Sequence, residues 1–186
     1  MYSAEILLCR PKWGVQIGFG GDEVKQKQAT LQLHSQPLGL EATPEQLHSA
    51  LSQNFESTFL LESSGSAQKN ARFSFVGFMP DKIITLRKGV VDIDGQQMDS
   101  KSPIKQLQSL IPKNQGQSAE LGSGFVGGAV GYFSFDYIRY VEKFSANPKD
   151  ETGFADFEFG IFGDAVVFDH IKGKASYLYT KENRVA

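Results

Sequence analysis

The stretch FEFGIFGDAVVFD, residues 157–169, decides the fold of this chain. It is rich in phenylalanine and β-branched residues, and this pattern predicts a β-strand. Ile171-Lys172-Gly173 then supplies a turn signal, and ASYLY at 175–179 alternates as a return strand. A strand, a tight turn and a second strand form a hairpin, so we expect antiparallel sheet.

Outward from this hairpin, most of the chain also consists of strand-length segments. Further strands are predicted over residues 30–34, 58–62, 72–78, 83–86, 90–93 and 125–135. Helices are predicted over residues 44–54, 103–111 and 136–144. Thr43, Pro44 and Gln46 provide a capping box at the start of the first helix. This order predicts an α+β fold with largely antiparallel sheets, in one domain over residues 1–186 of which 1–29 are weakly defined.

Composition excludes several classes of function. The chain has 186 residues and a net charge of −2, so it carries no basic field for nucleic acid or an anionic membrane surface. Cys9 is the only cysteine, which rules out an intrachain disulfide and a four-cysteine zinc site. His34, His48 and His170 lack the spacing of a metal-binding pair and are expected on the surface or in loops. Neither a secretory leader nor a membrane-span pattern occurs, so we expect a cytoplasmic protein.

Two motifs have a plain structural explanation beside a functional one. Gly122-Ser-Gly124-Phe-Val-Gly127 has the spacing of a nucleotide-binding loop, but a strand rather than a helix is expected after it. A packed, glycine-rich strand is therefore the favoured interpretation. Asp156 and Glu158 could bind a cation, although a solvated strand face is the commoner role of such a pair.

The segment Leu60-Leu61-Glu62-Ser63 carries the groups that hold a small zwitterion, at the end of a predicted strand. Glu62 could accept a hydrogen bond from an ammonium group, and Ser63 could add a second hydrogen bond. The two leucines could cover an apolar side chain. From chemistry alone, an ordinary strand end is the commoner explanation of the same residues.

Several segments in a fixed order carry a family resemblance. They are Thr43-Pro44, TFLLES at 58–63, RFSFVG at 72–77 with Pro80, GGAVGYFSFD at 127–136, Arg139, Glu142, and ADFEF at 155–159. Together they resemble the N-terminal region of anthranilate synthase component I, one of the chorismate-utilising enzymes, from about residue 35 to the end. One departure is Ala71, where the family usually has glycine.

The resemblance implies a fold, a ligand and an activity. The fold would be part of the α/β sandwich of these enzymes, and Leu60, Leu61, Glu62 and Ser63 would line a pocket for L-tryptophan, the feedback inhibitor. The parent protein would be a lyase that converts chorismate to anthranilate and pyruvate in tryptophan biosynthesis. It would use Mg²⁺ and take ammonia from a glutamine amidotransferase partner, component II.

The resemblance places the residues for chorismate and Mg²⁺ in a C-terminal domain that these 186 residues do not include. No catalytic or metal-binding residue is therefore carried over, and we expect the 186 residues alone to be inactive. Two alternatives stay open. One is the N-terminal part of aminodeoxychorismate synthase component I, in the folate pathway, and the other is a free-standing amino-acid-binding module.

Overall fold

The computed structural model describes residues 6–8, 33–62, 72–111, 127–142, 153–180 and 184. In chain order the elements are β1 (Ile6–Leu8), β2 (His34–Leu38), α1 (Pro44–Ser52), β3 (Thr58–Leu61), β4 (Phe73–Phe78), β5 (Lys82–Arg87), β6 (Val90–Ile93), β7 (Gln96–Asp99), α2 (Pro103–Leu110), β8 (Gly128–Phe133), a 3₁₀ helix (Phe135–Tyr140), β9 (Phe157–Phe162), β10 (Asp164–Asp169) and β11 (Lys174–Tyr179).

The strands form two antiparallel sheets, which confirms the predicted α+β class. One sheet has six strands in the order β1-β8-β9-β5-β6-β7, and the other has five in the order β2-β11-β10-β4-β3. Each neighbouring pair runs antiparallel. Within the described ranges, no helix is long and apolar enough to cross a membrane.

Residues 157–169 form two strands, so the prediction of one continuous strand is wrong. β9 belongs to the six-stranded sheet and β10 to the five-stranded sheet, and Gly163 is the residue between them. A Cβ added at Gly163 would lie 2.9 Å from both Asp81 Oδ2 and Thr180 Oγ1. The Thr180 hydroxyl also donates a hydrogen bond to the Gly163 carbonyl at 3.1 Å. The backbone therefore changes sheets where side chains crowd it and only glycine fits without displacing them.

The first core covers one face of the six-stranded sheet. Phe157, Phe159 and Ile161 alternate along β9 and are at most 2% exposed. Leu107 of α2 is fully buried in the same cluster, and Tyr137 of the 3₁₀ helix packs against it. The alternation arises because successive residues of a strand face opposite sides of the sheet.

The five-stranded sheet is covered on both faces. Ala165 and Val167 pack on one face with Phe162 from the six-stranded sheet. Val166 and Phe168 pack on the other face, beneath α1. Burial on both sides explains why β10 is continuously apolar rather than alternating.

Phe59 of β3 reaches from the five-stranded sheet to the six-stranded one. Its ring meets Phe162 edge-on, with the ring centroids 4.7 Å apart. Gly77 makes room for it, since a Cβ added there would lie 2.0 Å from Phe59 Cε1. This aromatic pair is a direct contact between the two sheets.

The first helix begins as predicted. Thr43 Oγ1 accepts from the Gln46 backbone N–H at 3.3 Å, and Gln46 Oε1 accepts from the Thr43 N–H at 2.9 Å. This reciprocal capping box satisfies two donors at the helix start. The helix ends at Ser52, two residues before the predicted end. Such a difference is within the usual variation of helix boundaries.

Other predicted boundaries shift for identifiable reasons. β2 covers His34–Leu38 instead of 30–34, of which 30–32 lie outside the described residues. It is the outer strand of its sheet in the described part of the chain, where the missing N–H of Pro37 is tolerated. The predicted helix over 136–144 is a 3₁₀ helix at Phe135–Tyr140. Its last two predicted residues, 143 and 144, fall outside the described ranges.

β7 was not predicted, because its residues are polar and exposed. The dipeptide Asp94-Gly95 before it is a turn signal in the sequence, and this prediction of a turn is confirmed. Asp94 and Gly95 both have positive φ, 51° and 85°, and Ile93 pairs with Gln96. Two successive residues with positive φ are typical of the tight turn that joins hairpin strands.

We expect Gly131→Ala to lower the free energy of unfolding by about 2 kcal/mol, since overpacking a closely packed site typically costs about 1–3 kcal/mol. A Cβ there would lie 2.0 Å from the Glu158 carbonyl oxygen and 2.7 Å from Phe159 Cα, both backbone atoms of the next strand. Gly39→Ala is the matched control, because a Cβ at Gly39 meets nothing within 4 Å. Urea denaturation measures both, and equal midpoints for the two variants would contradict the packing.

Candidate functional site

Three adjacent strands of the five-stranded sheet bring polar residues to one end of that sheet. Glu62 follows β3, Arg72 precedes β4, and Asp169 ends β10. Because β4 lies between β3 and β10 and runs antiparallel to both, these three ends meet. We refer to this place as the β3–β4–β10 end.

The predicted ligand-binding segment divides between the two faces of the sheet. Leu60 packs in the core beneath α1, and Leu61 packs in the cluster on the opposite face. Both leucines are half-buried, and Glu62, which follows the strand, is exposed. Alternation along the strand puts Glu62 on the face of Leu60. Ser63 lies outside the described residues.

Ser74 connects the Glu62 carboxylate to an imidazole. Its side chain is 2% exposed, and its Oγ lies 3.4 Å from Glu62 Oε1 and 2.7 Å from His170 Nε2. A hydroxyl has one proton to donate and can accept as well. Both contacts are hydrogen bonds when His170 Nε2 carries a proton and donates to Ser74, and Ser74 donates to Glu62.

The turn that carries His170 is held by an ion pair. Arg72 Nε and Nη2 lie 3.1 Å and 2.6 Å from the two carboxylate oxygens of Asp169, a bidentate arrangement. The Arg72 guanidinium lowers the pKa of Asp169, and Asp169 in turn raises the pKa of Arg72. Asp169 Oδ1 also accepts from the backbone N–H groups of Ile171 and Lys172. The His170 N–H donates to the Arg72 carbonyl at 2.9 Å, which fixes the backbone of His170.

The first turn of α1 adds a second carboxylate near His170. Glu45 is exposed there, and its pKa is lowered first by a hydrogen bond from the Thr43 side chain. Its own backbone N–H and, more weakly, the charge of His170 act in the same direction. The acidic groups Glu45 and Glu62 therefore approach His170 from two different elements, and two carboxylates at one place favour a cationic ligand there.

The acidic pair Asp156 and Glu158 does not form one solvated face, so that prediction is wrong. Asp156 is 6% exposed and accepts from Tyr140 Oη at 2.8 Å and from the Lys88 N–H at 2.9 Å. Burial, followed by this carboxylate, raises the pKa of Tyr140 to about 12. Glu158 is half-buried and lies 4.0 Å from Arg87. The buried carboxylate thus ties the 3₁₀ helix to the turn between β5 and β6.

The glycine-rich motif leads into a strand, as predicted. Residues 122–126 lie outside the described residues, and Gly127 is followed directly by β8. No helix N-terminus follows, so the geometry of a dinucleotide-binding loop is not present at that point. In the described part of the chain, no group of three or more His, Cys, Asp or Glu side chains could hold a metal ion.

Sequence analysis did not identify Ser74 or the contact of His170. A signal for Ser74 exists in the alternation of RFSFVGF, since Ser74 shares a face with the buried Val76 and Phe78. A hydroxyl at a core position requires a hydrogen-bond partner. The partner His170 is 96 residues away in sequence, so the strand order is needed to find it.

No protein-family model matches the chain. Curated relatives do match it. Anthranilate synthase component 1 of Methanothermobacter marburgensis is 38% identical over 148 residues, which is 76% of this chain and 30% of the relative. Anthranilate synthase alpha subunit 2 of Arabidopsis thaliana is 35% identical over 136 residues, 66% of this chain and 22% of the relative.

A solved structure agrees with these relatives. The crystal structure of anthranilate synthase component I from Streptococcus pneumoniae has a TM-score of 0.51 and 30% identity. The match covers 66% of this chain and 28% of that protein. The chain therefore spans less than a third of the length of the proteins it matches.

We expect Asp169→Asn to lower stability at neutral pH, because asparagine keeps an acceptor for the turn but loses the charge that pairs with Arg72. Since the pKa of Asp169 is lowered in the folded state, its contribution is full above the unfolded pKa, about 4. It is lost as pH falls below that value. Urea midpoints from pH 7 to pH 3 should show the gap between parent and variant closing below about pH 4.

Asp99→Asn, at an exposed position of β7, is the matched control. A gap between the parent and Asp169→Asn that stays constant with pH would contradict the ion pair as its cause.

Proposed function

This chain is a homologue of anthranilate synthase component I over about three quarters of its length, and we propose that it forms the N-terminal, tryptophan-sensing part of such an enzyme. In this proposal the whole protein is a lyase that converts chorismate and glutamine-derived ammonia to anthranilate and pyruvate. The identity to proteins of that name supports the pathway. The 186 residues hold the inhibitor and are inactive alone.

The tryptophan site of this proposal consists of Leu60, Leu61, Glu62 and Ser63. The exposed carboxylate of Glu62 is the observation that carries it, since it is free to meet an ammonium group in a charge-assisted hydrogen bond. β3 is the outer strand of its sheet in the described residues, so a ligand can approach along its edge. From that edge it can contact the half-buried leucines on both faces.

Inhibition in this proposal is a linkage between two sites. Tryptophan at the β3–β4–β10 end favours a state of the whole enzyme in which chorismate binds poorly. Chorismate must then weaken tryptophan binding by the same factor, because the coupling free energy is shared by both ligands. The contact of Phe59 with Phe162 supports this route, since it joins β3 directly to the six-stranded sheet.

The remaining partners follow from the same proposal. In this proposal the Mg²⁺ and chorismate ligands belong to the part of the protein outside these 186 residues. Component II, a glutamine amidotransferase, supplies ammonia to the whole enzyme, which acts in the cytoplasm. No step of the reaction is assigned to residues of this chain.

We expect Ser63→Arg in the full-length enzyme to raise the inhibition constant for tryptophan at least tenfold, a loss of about 1.4 kcal/mol of binding free energy. A long cationic side chain next to Glu62 would both fill the site and neutralise the carboxylate. The measurement is the rate of fluorescent anthranilate formation against tryptophan concentration, relative to the uninhibited rate of the same variant.

Ser49→Arg makes the same chemical change at an exposed position of α1 and serves as the control. Equal tryptophan sensitivity of Ser63→Arg and the parent would contradict the proposed tryptophan site.

Formation of 4-amino-4-deoxychorismate instead of anthranilate would support the folate-pathway alternative. Micromolar binding of tryptophan by the 186 residues alone, in calorimetry with phenylalanine as control, would support a free-standing binding module.

A further inference from the structure

We propose that Ser74 and His170 are positioning residues that orient the Glu62 carboxylate toward the ammonium group of the ligand. This inference rests on the proposed function, because it takes tryptophan at Glu62 as the ligand. It adds two residues that contact no ligand themselves and act through Glu62. Their effect is on the affinity for the inhibitor.

The position of Ser74 in the sheet fixes the direction of its hydroxyl group. It lies in β4 between β3 and β10, pairs directly with Phe168, and is 2% exposed. Its neighbours on the same face, Val76 and Phe78, are buried and apolar. A hydroxyl in such surroundings costs free energy unless it is hydrogen-bonded. The contacts with Glu62 and His170 meet this need, so the hydroxyl holds a fixed direction.

Glu62 needs such a partner because it is exposed and follows the last residue of its strand. A free glutamate side chain there samples several rotamers, and holding it in one of them costs conformational entropy on ligand binding. A hydrogen bond that restricts the carboxylate before the ligand arrives reduces that cost. The 3.4 Å distance from Ser74 Oγ to Glu62 Oε1 describes a weak bond, so the expected effect is moderate.

His170 decides where the single proton of Ser74 points. With a proton on Nε2, His170 donates at 2.7 Å, and the hydroxyl is free to donate to Glu62. Without that proton, Ser74 donates to the imidazole and Glu62 loses the bond. The ion pair of Arg72 with Asp169 and the hydrogen bond from the His170 N–H to the Arg72 carbonyl fix the backbone of His170. With Nε2–H donating to Ser74, the network directs one hydrogen bond toward the ligand-binding carboxylate.

The test uses the full-length enzyme and the inhibition constant for tryptophan. Ser74→Ala and His170→Leu should each raise this constant about three- to tenfold. The inhibition constant of His170→Gln should stay within twofold of that of the parent, since the glutamine amide can donate to Ser74 Oγ. In a Glu62→Gln background, Ser74→Ala should change the constant less than twofold, because the residue through which it acts is already altered.

Ser176→Ala changes a half-buried serine of β11, on the opposite face of the same sheet, and is the matched control. Thermal unfolding of each variant checks that it folds. Because His170 is exposed, its variants test the inference even if Ser74→Ala is unstable.

An unchanged inhibition constant in His170→Leu would overturn the positioning role of Ser74 and His170. A full additional increase from Ser74→Ala in the Glu62→Gln background would overturn it as well. An unchanged constant in Glu62→Gln would overturn the proposed tryptophan site itself. A raised constant in Glu62→Gln alone leaves that site standing and rejects only the positioning role.

Discussion

The passage of the backbone from β9 to β10 at Gly163 is the constraint on which both sheets depend. β9 lies between β8 and β5, and β10 lies between β11 and β4, so both strands are interior and each sets the register of two neighbours. Polar groups hold this junction. Thr180 donates to the Gly163 carbonyl, and Arg184 pairs with Asp81 and donates to the Met79 carbonyl. A side chain at residue 163 would displace Asp81 and Thr180 from this arrangement.

The position of the candidate site depends on that junction. β10 is a six-residue strand that begins directly after Gly163 and ends with Asp169. The change of sheets at Gly163 therefore fixes where the Arg72 ion pair and the His170 turn lie. The site is therefore assembled at the ends of the interior strands β4 and β10 and of the outer strand β3, and Glu62, Glu45 and His170 are its exposed groups. Groups held by rigid elements keep their geometry better than groups on loops, and this is the arrangement that favours selective binding.

Much of the fold could be predicted from the sequence, because local signals marked it clearly. The capping box at Thr43, the hairpin turn at Asp94-Gly95 and the alternation in β4 each specify one local structure. The division of residues 157–169 could not be predicted, since both halves are apolar and glycine also occurs inside strands. At the site, the chemistry of Leu60, Leu61 and Glu62 indicated a place for a small zwitterion, with an ordinary strand end as the commoner explanation, and the family resemblance added tryptophan as the ligand. Their opposite faces follow from alternation, but the Ser74–His170 contact needs the strand order, which depends on pairings distant in sequence.

The placement of β3 has a mechanical consequence. One short strand has Leu60 seated under a helix and Leu61 and Phe59 seated in the layer between the sheets. Because side chains alternate with a period of two, such a strand cannot slide by one residue without exchanging its two sets of contacts. It also cannot rotate about its own axis without disturbing both layers. A displacement of the residues at the end of β3 would therefore move the whole strand together. The six-stranded sheet would receive that movement at the Phe59–Phe162 contact.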